Sequence, residues 1–210
     1  MTATNAIVFY HSPNSRSAGV LALLKELGAP FDLRLINMKA KEQRQPEFLA
    51  VNPMGKVPAI VHDGALVTEQ VAIFIYLADL FPEANLAPPI GDPLRGPYLR
   101  WMAYYGSSFE PAIIDVAMKR EPAPAQMSPY GDFDTMLGAL VAQLAKGPYI
   151  LGDRFTAADI LWGTSLAWTT SFKLVPKLPE ITAYIDRIDA RPAVVAAKAE
   201  DAANAAAQQA

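Results

Sequence analysis

The 210-residue chain contains no cysteine and only two histidines, His11 and His62. The lack of cysteine excludes a protein thiol nucleophile, a disulfide and a zinc site built from thiolates. Two isolated histidines are too few for an ordinary metal centre, so no metal is predicted, and His62 is expected at the surface of a hairpin. If the protein performs sulfur chemistry, the thiol must come from a substrate.

Long apolar segments and basic blocks are also missing. The longest purely apolar run, residues 71–78, falls far short of the roughly 20 residues of a membrane span. The first residues lack the pattern of a signal peptide, and the net charge of −3 argues against nucleic acid as a main partner. With 52% hydrophobic residues, the sequence predicts a soluble, cytoplasmic protein with a substantial core and neither a membrane nor a nucleic-acid partner.

Residues 52–70 combine a turn, a proline-led strand, a hairpin and a helix start. Proline has no N–H to donate, so Pro58 is predicted to open a strand or to lie at a sheet edge. If the bond between Val57 and Pro58 is cis, Val57 would present its own N–H and C=O to an extended peptide. The dipeptide Asp63-Gly64 between two apolar runs predicts a hairpin of antiparallel strands.

Thr68 and Glu69 precede apolar residues at helical spacing. One of the two is predicted to begin a helix, whose free N–H groups and dipole favour an anion. Since the strand edge suits an extended peptide and the helix start suits a carboxylate, this stretch predicts half of a binding site for a peptide acid.

The order of predicted elements indicates a small mixed sheet at the N-terminal side. Residues 6–10, 15–28 and 31–36 have the patterns of a strand, a helix and a strand, which is a right-handed βαβ unit. A polar, irregular helix, the hairpin and a helix over residues 69–81 follow. The predicted order is therefore β-α-β-α-β-β-α, with helices on the faces of the sheet.

The remainder of the chain is predicted to be all-helical. Five prolines between residues 82 and 97 interrupt any continuous helix, which places a domain boundary there. The predicted division is a first domain over 1–82, a linker over 83–91 and a helical domain over 92–210. An aromatic stripe from Tyr98 to Phe109 is expected to be mostly core, with a kink or break near its middle.

One local motif in the helical half is unusually complete. Thr156 is a candidate N-cap, and Asp159, three residues later, can reach back to its N–H. Phe155 against Ile160 would form the accompanying hydrophobic staple. This capping box predicts a helix start, and replacing Thr156 or Asp159 by alanine is expected to cost about 1 kcal/mol or more.

Together these features resemble the cytosolic glutathione transferase family, and in particular its bacterial members without a catalytic cysteine, either serine-type or nu-like. Asn52-Pro53-Met54-Gly55-Lys56-Val57-Pro58 is similar to the family's NPxGKVP loop, and Thr68-Glu69-Gln70 falls where the family has Glu-Ser. The resemblance covers essentially the whole chain. It implies an α/β thioredoxin-like N-terminal domain that binds glutathione, an all-α helical C-terminal domain with the acceptor pocket, and a homodimer with glutathione as co-substrate and no bound cofactor.

The resemblance also implies which residues hold glutathione. Val57, before a cis Pro58, would pair with the cysteinyl main chain, and Glu69 and Gln70 would hold the γ-glutamyl end. Gln70 departs from the family pattern, because its larger amide replaces the usual serine. The glycine carboxylate would be met by Lys56, with Lys41 or Gln43 as further candidates.

The thiol-activating residue is implied to lie between the first strand and its helix. The position that is cysteine in beta-class members falls at Ser15 or Arg16, depending on the alignment, and Ser12-Pro13-Asn14 resembles the Thr-Pro-Asn of nu-like members. Ser12 and Ser15 are therefore both candidates, with Asn14 as a second donor. A serine hydroxyl there would donate a hydrogen bond that favours the thiolate of glutathione. Without the resemblance, the same residues are more typical of a turn and a helix cap than of a catalytic site.

Two classes of function remain open at this point. The first is an enzyme that conjugates glutathione to a small hydrophobic electrophile, as in detoxification, or that reduces peroxides or disulfides. The second is a non-catalytic glutathione-fold protein with a binding or regulatory role. For the enzyme, the resemblance implies an acceptor pocket with four candidate residues, namely His11, Tyr105, Phe109 and Trp168.

Overall fold

The computed structural model describes residues 7–121 and 123–208. Its helices and strands follow the predicted order through the first 80 residues. They are β1 (Ile7–His11), α1 (Ser17–Leu27), β2 (Phe31–Leu35), α2 (Pro46–Leu49), β3 (Ala59–His62), β4 (Ala65–Val67), α3 (Gln70–Leu80), α4 (Arg95–Tyr104), α5 (Glu110–Met118), α6 (Phe133–Leu144), α7 (Ala157–Ser171), α8 (Pro179–Asp189) and α9 (Pro192–Ala207).

The chain divides into two compact units. One contains the residues up to Ala84 together with those from Arg191 onward, and the other contains Asn85–Ala190. This division differs from the predicted one at the last helix, which had been assigned to the helical domain. The physical reason lies in α9, whose buried Val194 and Ala197 present a narrow apolar face. That face packs along α1 of the first unit.

The sheet of the first unit has the strand order β2-β1-β3-β4. β1 pairs with β2 in parallel, whereas β3 is antiparallel to both β1 and β4. The predicted βαβ unit and the Asp63-Gly64 hairpin are thereby confirmed. β1 alternates strictly, with Ile7, Phe9 and His11 buried, and it extends one residue further than predicted because His11 is in register with Leu35 of β2.

Two ion pairs fix α9 to α1. Lys25 Nζ lies 2.6 Å from Glu200 Oε2, and the guanidinium of Arg191 binds the carboxylate of Glu26. The last helix is therefore an integral part of the unit that contains the sheet.

The second unit is helical and has an aromatic core. Trp162 is fully buried, donates its indole N–H to the carbonyl of Trp101 over 3.2 Å and contacts the ring of Phe109. The break predicted in the aromatic stripe appears as a π-helical turn over Tyr105–Phe109, between α4 and α5. Across the described ranges, no helix combines the length and the apolar character needed to cross a membrane.

The predicted capping box is confirmed at the start of α7. Asp159 Oδ2 accepts the N–H of Thr156 over 2.8 Å. Its other oxygen, Oδ1, accepts the N–H of Ile150 over 2.7 Å and the hydroxyl of Tyr184 over 2.8 Å. Asp159 has no exposed surface, so one buried carboxylate joins the helix start to a preceding turn and to α8.

Candidate active site

The loop between β1 and α1 is closed by hydrogen bonds among three serines. Ser15 Oγ donates to the carbonyl of Ser12 over 2.7 Å and accepts the N–H of Ser17 over 3.2 Å. The N–H of Ser12 donates to Ser17 Oγ over 3.1 Å, and the hydroxyls of Ser15 and Ser17 are 2.7 Å apart. The hydroxyl of Ser15 is therefore held at the N-terminus of α1, where N–H groups and the helix dipole favour negative charge.

The three predicted thiol-activating residues differ in accessibility. Ser12 is only 2% exposed, Ser15 is half-buried, and Asn14 is exposed. Asn14 has a left-handed backbone with a φ of 56°, and its N–H donates to Asp201 Oδ2 of α9 over 3.0 Å. Of the three residues, Ser15 is thus the one whose hydroxyl is both held by its neighbours and accessible to a ligand.

The assignment of His11 to the acceptor pocket is contradicted by its burial. Its side chain has no exposed surface, and Nε2 lies 3.0 Å from Asp201 Oδ1. The other ring nitrogen, Nδ1, lies 2.7 Å from Ser17 Oγ. As the third residue on the buried face of β1, His11 lies inside the first unit rather than on a pocket wall.

The surface position predicted for His62 is also wrong. His62 is 8% exposed, because it continues the buried face of β3 two residues after Ile60. Its Nδ1 lies 2.7 Å from the hydroxyl of Tyr76 on α3. The two histidines are therefore both interior, and the described residues contain no cluster of histidine and acidic side chains that could hold a metal ion.

The turn before β3 presents a free peptide edge. The bond between Val57 and Pro58 is cis, as the resemblance implied. Asn52 organises the turn, since its amide donates to the carbonyl of Lys56 over 2.8 Å and its Oδ1 accepts the N–H of Met54. Within residues 7–121 and 123–208, neither the N–H nor the C=O of Val57 has a hydrogen-bond partner. An extended peptide can therefore pair with Val57.

Gly55 allows the loop that carries Lys56 to pack closely against the turn that follows Lys41. Its φ is 60°, and a Cβ there would lie 2.6 Å from the carbonyl oxygen of Gln43 and 2.9 Å from Arg44 Nη1. The loop that carries Lys56 is thus packed on the turn that follows Lys41. Both lysines are exposed, as ligands for a carboxylate should be.

Replacing Gly55 by alanine is expected to lower the free energy of unfolding by about 2 kcal/mol and to weaken glutathione binding. The new Cβ would add a clash with the carbonyl of Gln43 to the cost of a left-handed backbone. Gly28→Ala is the matched control, because its φ is 61° and a Cβ there meets nothing within 4 Å. Chemical denaturation of both variants separates the two costs, and an equal loss in both would contradict the close approach.

The start of α3 is connected to the loop between β1 and α1. Glu69 precedes the helix with a φ of 64°, a strained value for a residue with a side chain, and its side chain is exposed. Gln70, the residue that departs from the family pattern, donates its amide to the carbonyl of Arg16 over 3.0 Å. The larger amide thus joins the two helix starts, a role that a serine is too short to perform.

Two of the remaining acceptor-pocket candidates belong to the core of the second unit. Phe109 is fully buried and Tyr105 is 2% exposed, with ring centroids 5.0 and 5.4 Å from Trp162. The hydroxyl of Tyr105 is held by Glu110 over 2.6 Å. Their burial contradicts the assignment to a pocket wall. Trp168, with 43% exposure, keeps an accessible ring.

The sequence interpretation missed Ser17 and Asp201. Ser17 has hydrogen-bond contacts with His11, Ser12 and Ser15. Asp201 contacts the loop from α9, 187 residues beyond Asn14. Ser17 could have been noticed as the residue that begins α1. Asp201, one of two adjacent acids in an alanine-rich helix, gave no local signal.

Comparison with known proteins identifies relatives along most of the chain. Residues 5–79 match the family model described as glutathione S-transferase, N-terminal domain, and residues 130–187 match the corresponding C-terminal domain. Glutathione S-transferase GstA of Escherichia coli O157:H7 is 30% identical over 188 residues, which cover 88% of this chain and 94% of that protein.

Solved structures of similar proteins agree with the fold. A glutathione transferase from Methylococcus capsulatus is 33% identical with a TM-score of 0.81, over 94% of this chain and 100% of its own. A sphingomonad glutathione S-transferase, solved in complex with glutathione, is 31% identical with a TM-score of 0.78, over 93% of this chain and 98% of its own.

Proposed function

The chain belongs to the glutathione S-transferase family, and we propose that it conjugates the thiolate of glutathione to a small hydrophobic electrophile. The observation that carries this proposal is the unpartnered main chain of Val57. It lies in the same compact unit as the thiol-activating loop, and the bond from Gln70 to Arg16 ties that loop to the start of α3.

Glutathione matches these groups chemically. Its cysteinyl main chain can form two antiparallel hydrogen bonds with Val57. The α-carboxylate of the γ-glutamyl end suits the N-terminus of α3, and the neighbouring amino group suits the exposed carboxylate of Glu69. Lys56 and Lys41 supply positive charge for the glycine carboxylate. The ligand is thus bound along its whole length, as a co-substrate.

Ser15 is proposed as the residue that activates the sulfur, with Ser12 and Asn14 in supporting positions. A free thiol has a pKa of about 8.5 and is a weak nucleophile until it loses its proton. A hydroxyl donor at the N-terminus of α1 favours the thiolate over the thiol. The thiolate then attacks the electrophilic atom of the acceptor, whose leaving group takes the bonding electrons, while Ser15 itself forms no covalent bond.

Membership of the family supports three further proposals, which are a cytoplasmic location, a homodimeric assembly and a role in detoxification. The chain matches both the N-terminal and the C-terminal domain of the family. The acceptor is proposed to be small and apolar, with Trp168 as one accessible aromatic side chain of the helical unit. The net charge of −3 argues against nucleic acid as a partner.

Binding to immobilised glutathione and conjugation of chlorodinitrobenzene test the proposal. We expect both, and we expect Glu69→Gln to raise the KM for glutathione about tenfold, since a charge-assisted hydrogen bond becomes a neutral one. Glu83→Gln is the control, because Glu83 is an exposed acid of the same unit outside the candidate site. The absence of both binding and turnover would refute the proposal. Binding without turnover would identify a non-catalytic glutathione-binding protein.

A further inference from the structure

We propose that Asp201 and His11 are positioning residues, which orient the hydroxyl groups of the thiol-activating loop from the last helix of the chain. The inference rests on the proposed function, because it concerns how the loop activates the sulfur of glutathione. It assigns a role in that reaction to α9, a helix whose sequence carries no motif.

Asp201 contacts the loop with both carboxylate oxygens. Oδ2 accepts the N–H of Asn14 over 3.0 Å, which supports the left-handed backbone of that residue. Oδ1 lies 3.0 Å from Nε2 of His11. These two facing atoms are buried, and within the described residues neither has a hydrogen-bond partner, so their 3.0 Å approach is a close electrostatic contact. The pair of Arg191 with Glu26 also joins the start of α9 to α1.

The contact with Asp201 determines which nitrogen of His11 carries the proton. A neutral ring protonated at Nδ1 would direct the lone pair of Nε2 at a carboxylate oxygen 3.0 Å away, which is unfavourable. Of the two neutral forms of the ring, the one with its proton on Nε2 is therefore the one that this contact favours. In that form Nδ1 is an acceptor, and it accepts the hydroxyl proton of Ser17 over 2.7 Å, which is shorter than the 3.1 Å from Ser17 Oγ to its other acceptor, the carbonyl of Ser12.

The direction of this bond determines what Ser15 can do. Because the proton of Ser17 points at His11, Ser17 Oγ can accept but cannot donate to Ser15, 2.7 Å away. Ser15 Oγ also accepts the N–H of Ser17, through one of its two lone pairs. The proton of Ser15 is then the mobile one, shared between the carbonyl of Ser12 and Ser17 Oγ. It can turn to the sulfur of glutathione and leave no donor of the loop unpaired.

Nitrogen NMR of the two imidazole rings tests the assignment without any ligand. The chain has two histidines, and His62, bound to Tyr76, is an internal reference. We expect His11 as the neutral Nε2–H form in the wild type and a change in its nitrogen shifts in Asp201→Asn, with His62 unchanged in both. A ring protonated at Nδ1, or at both nitrogens, would overturn the inference, whether or not the protein binds glutathione.

Titration of bound glutathione tests the consequence, with the ultraviolet absorbance of the thiolate as the signal. We expect Asp201→Asn to raise the pKa of the bound thiol by about one unit and to lower kcat/KM below that pKa about tenfold, with little change in the KM for glutathione. Glu200→Gln, the adjacent acid on α9, removes only the pair with Lys25 and should leave the thiol pKa unchanged.

The outcomes separate the inference from the proposed function. Ser17→Ala should shift the thiol pKa as Asp201→Asn does, and the double variant should add nothing, since both break one chain of hydrogen bonds. An unchanged thiol pKa in Asp201→Asn would reduce Asp201 to a structural role and overturn the inference alone. A wild type that does not lower the pKa of glutathione would overturn the proposed function and the inference with it.

Discussion

Replacing Ser15 by alanine is expected to lower kcat/KM for glutathione conjugation about 100-fold near neutral pH. The loss of one preorganised donor to a developing anion typically has an effect of this size. Without the hydroxyl, the bound thiol keeps its proton to higher pH, so the rise of activity with pH should move upward. Steady-state rates between pH 6 and about 9 measure this shift, and the KM for glutathione should change little.

Ser12→Ala is the control for this prediction. Ser12 contributes its main chain to the loop, through its carbonyl and its N–H, and the alanine variant retains both groups. We therefore expect a much smaller effect than for Ser15→Ala. If Ser12→Ala shifts the pH profile instead, Ser12 is the activating residue. If neither variant shifts it, activation by a serine is wrong.

The features that were predictable from the sequence depend on neighbours in the chain. The hairpin at Asp63-Gly64 and the capping box of Thr156 and Asp159 each involve residues a few positions apart, so local backbone preferences are enough to specify them. The free edge at Val57 also follows from the proline next to it. Half of the candidate site is therefore encoded locally.

The burial of both histidines could have been predicted but was not. His11 follows Phe9, and His62 follows Ile60, each by two residues in a strand. A period of two places every second side chain on the same face of a sheet, so both rings continue a buried face. Their polarity suggested a loop or the surface, and the alternation of the strand was the stronger physical signal.

The contact between Asp201 and the loop could not have been predicted. It joins Asn14 to a residue 187 positions away, and it depends on how α9 packs along α1. That packing buries small side chains of an alanine-rich helix, which fit many partners equally well. Tertiary packing alone determines which carboxylate reaches the site.

Asp159→Ala is expected to lower the free energy of unfolding by about 3 kcal/mol or more, well above the 1 kcal/mol expected for a helix cap alone. The substitution leaves the N–H groups of Thr156 and Ile150 without an acceptor, and the hydroxyl of Tyr184 keeps only the main-chain carbonyl of residue 159, 3.5 Å away. Each buried unsatisfied group costs about 1 to 3 kcal/mol. Chemical denaturation measures the loss, and Asp132→Ala at the exposed N-cap of α6 is the control, with about 1 kcal/mol expected.

The pH dependence of stability provides the sharper test of Asp159. Burial raises the pKa of Asp159 from 3.8 to about 6, although its hydrogen-bond donors oppose the shift. Between these two values the folded protein retains a proton that the unfolded chain has lost, so stability falls as the pH rises. The contribution is fully present below pH 3.8 and is lost by about pH 6, and a shift of this size corresponds to about 3 kcal/mol.

Asp159→Asn isolates this titration, because an amide retains one acceptor oxygen and does not ionise in the range. We expect the free energy of unfolding of the wild type, minus that of Asp159→Asn, to decrease as the pH rises from about 4 to 6 and to stay constant above it. A difference that stays constant over this window and falls below about pH 4 would mean that the donors of Thr156, Ile150 and Tyr184 outweigh the burial of the carboxylate. The slope of that difference therefore decides which of the two effects controls the charge at the start of α7.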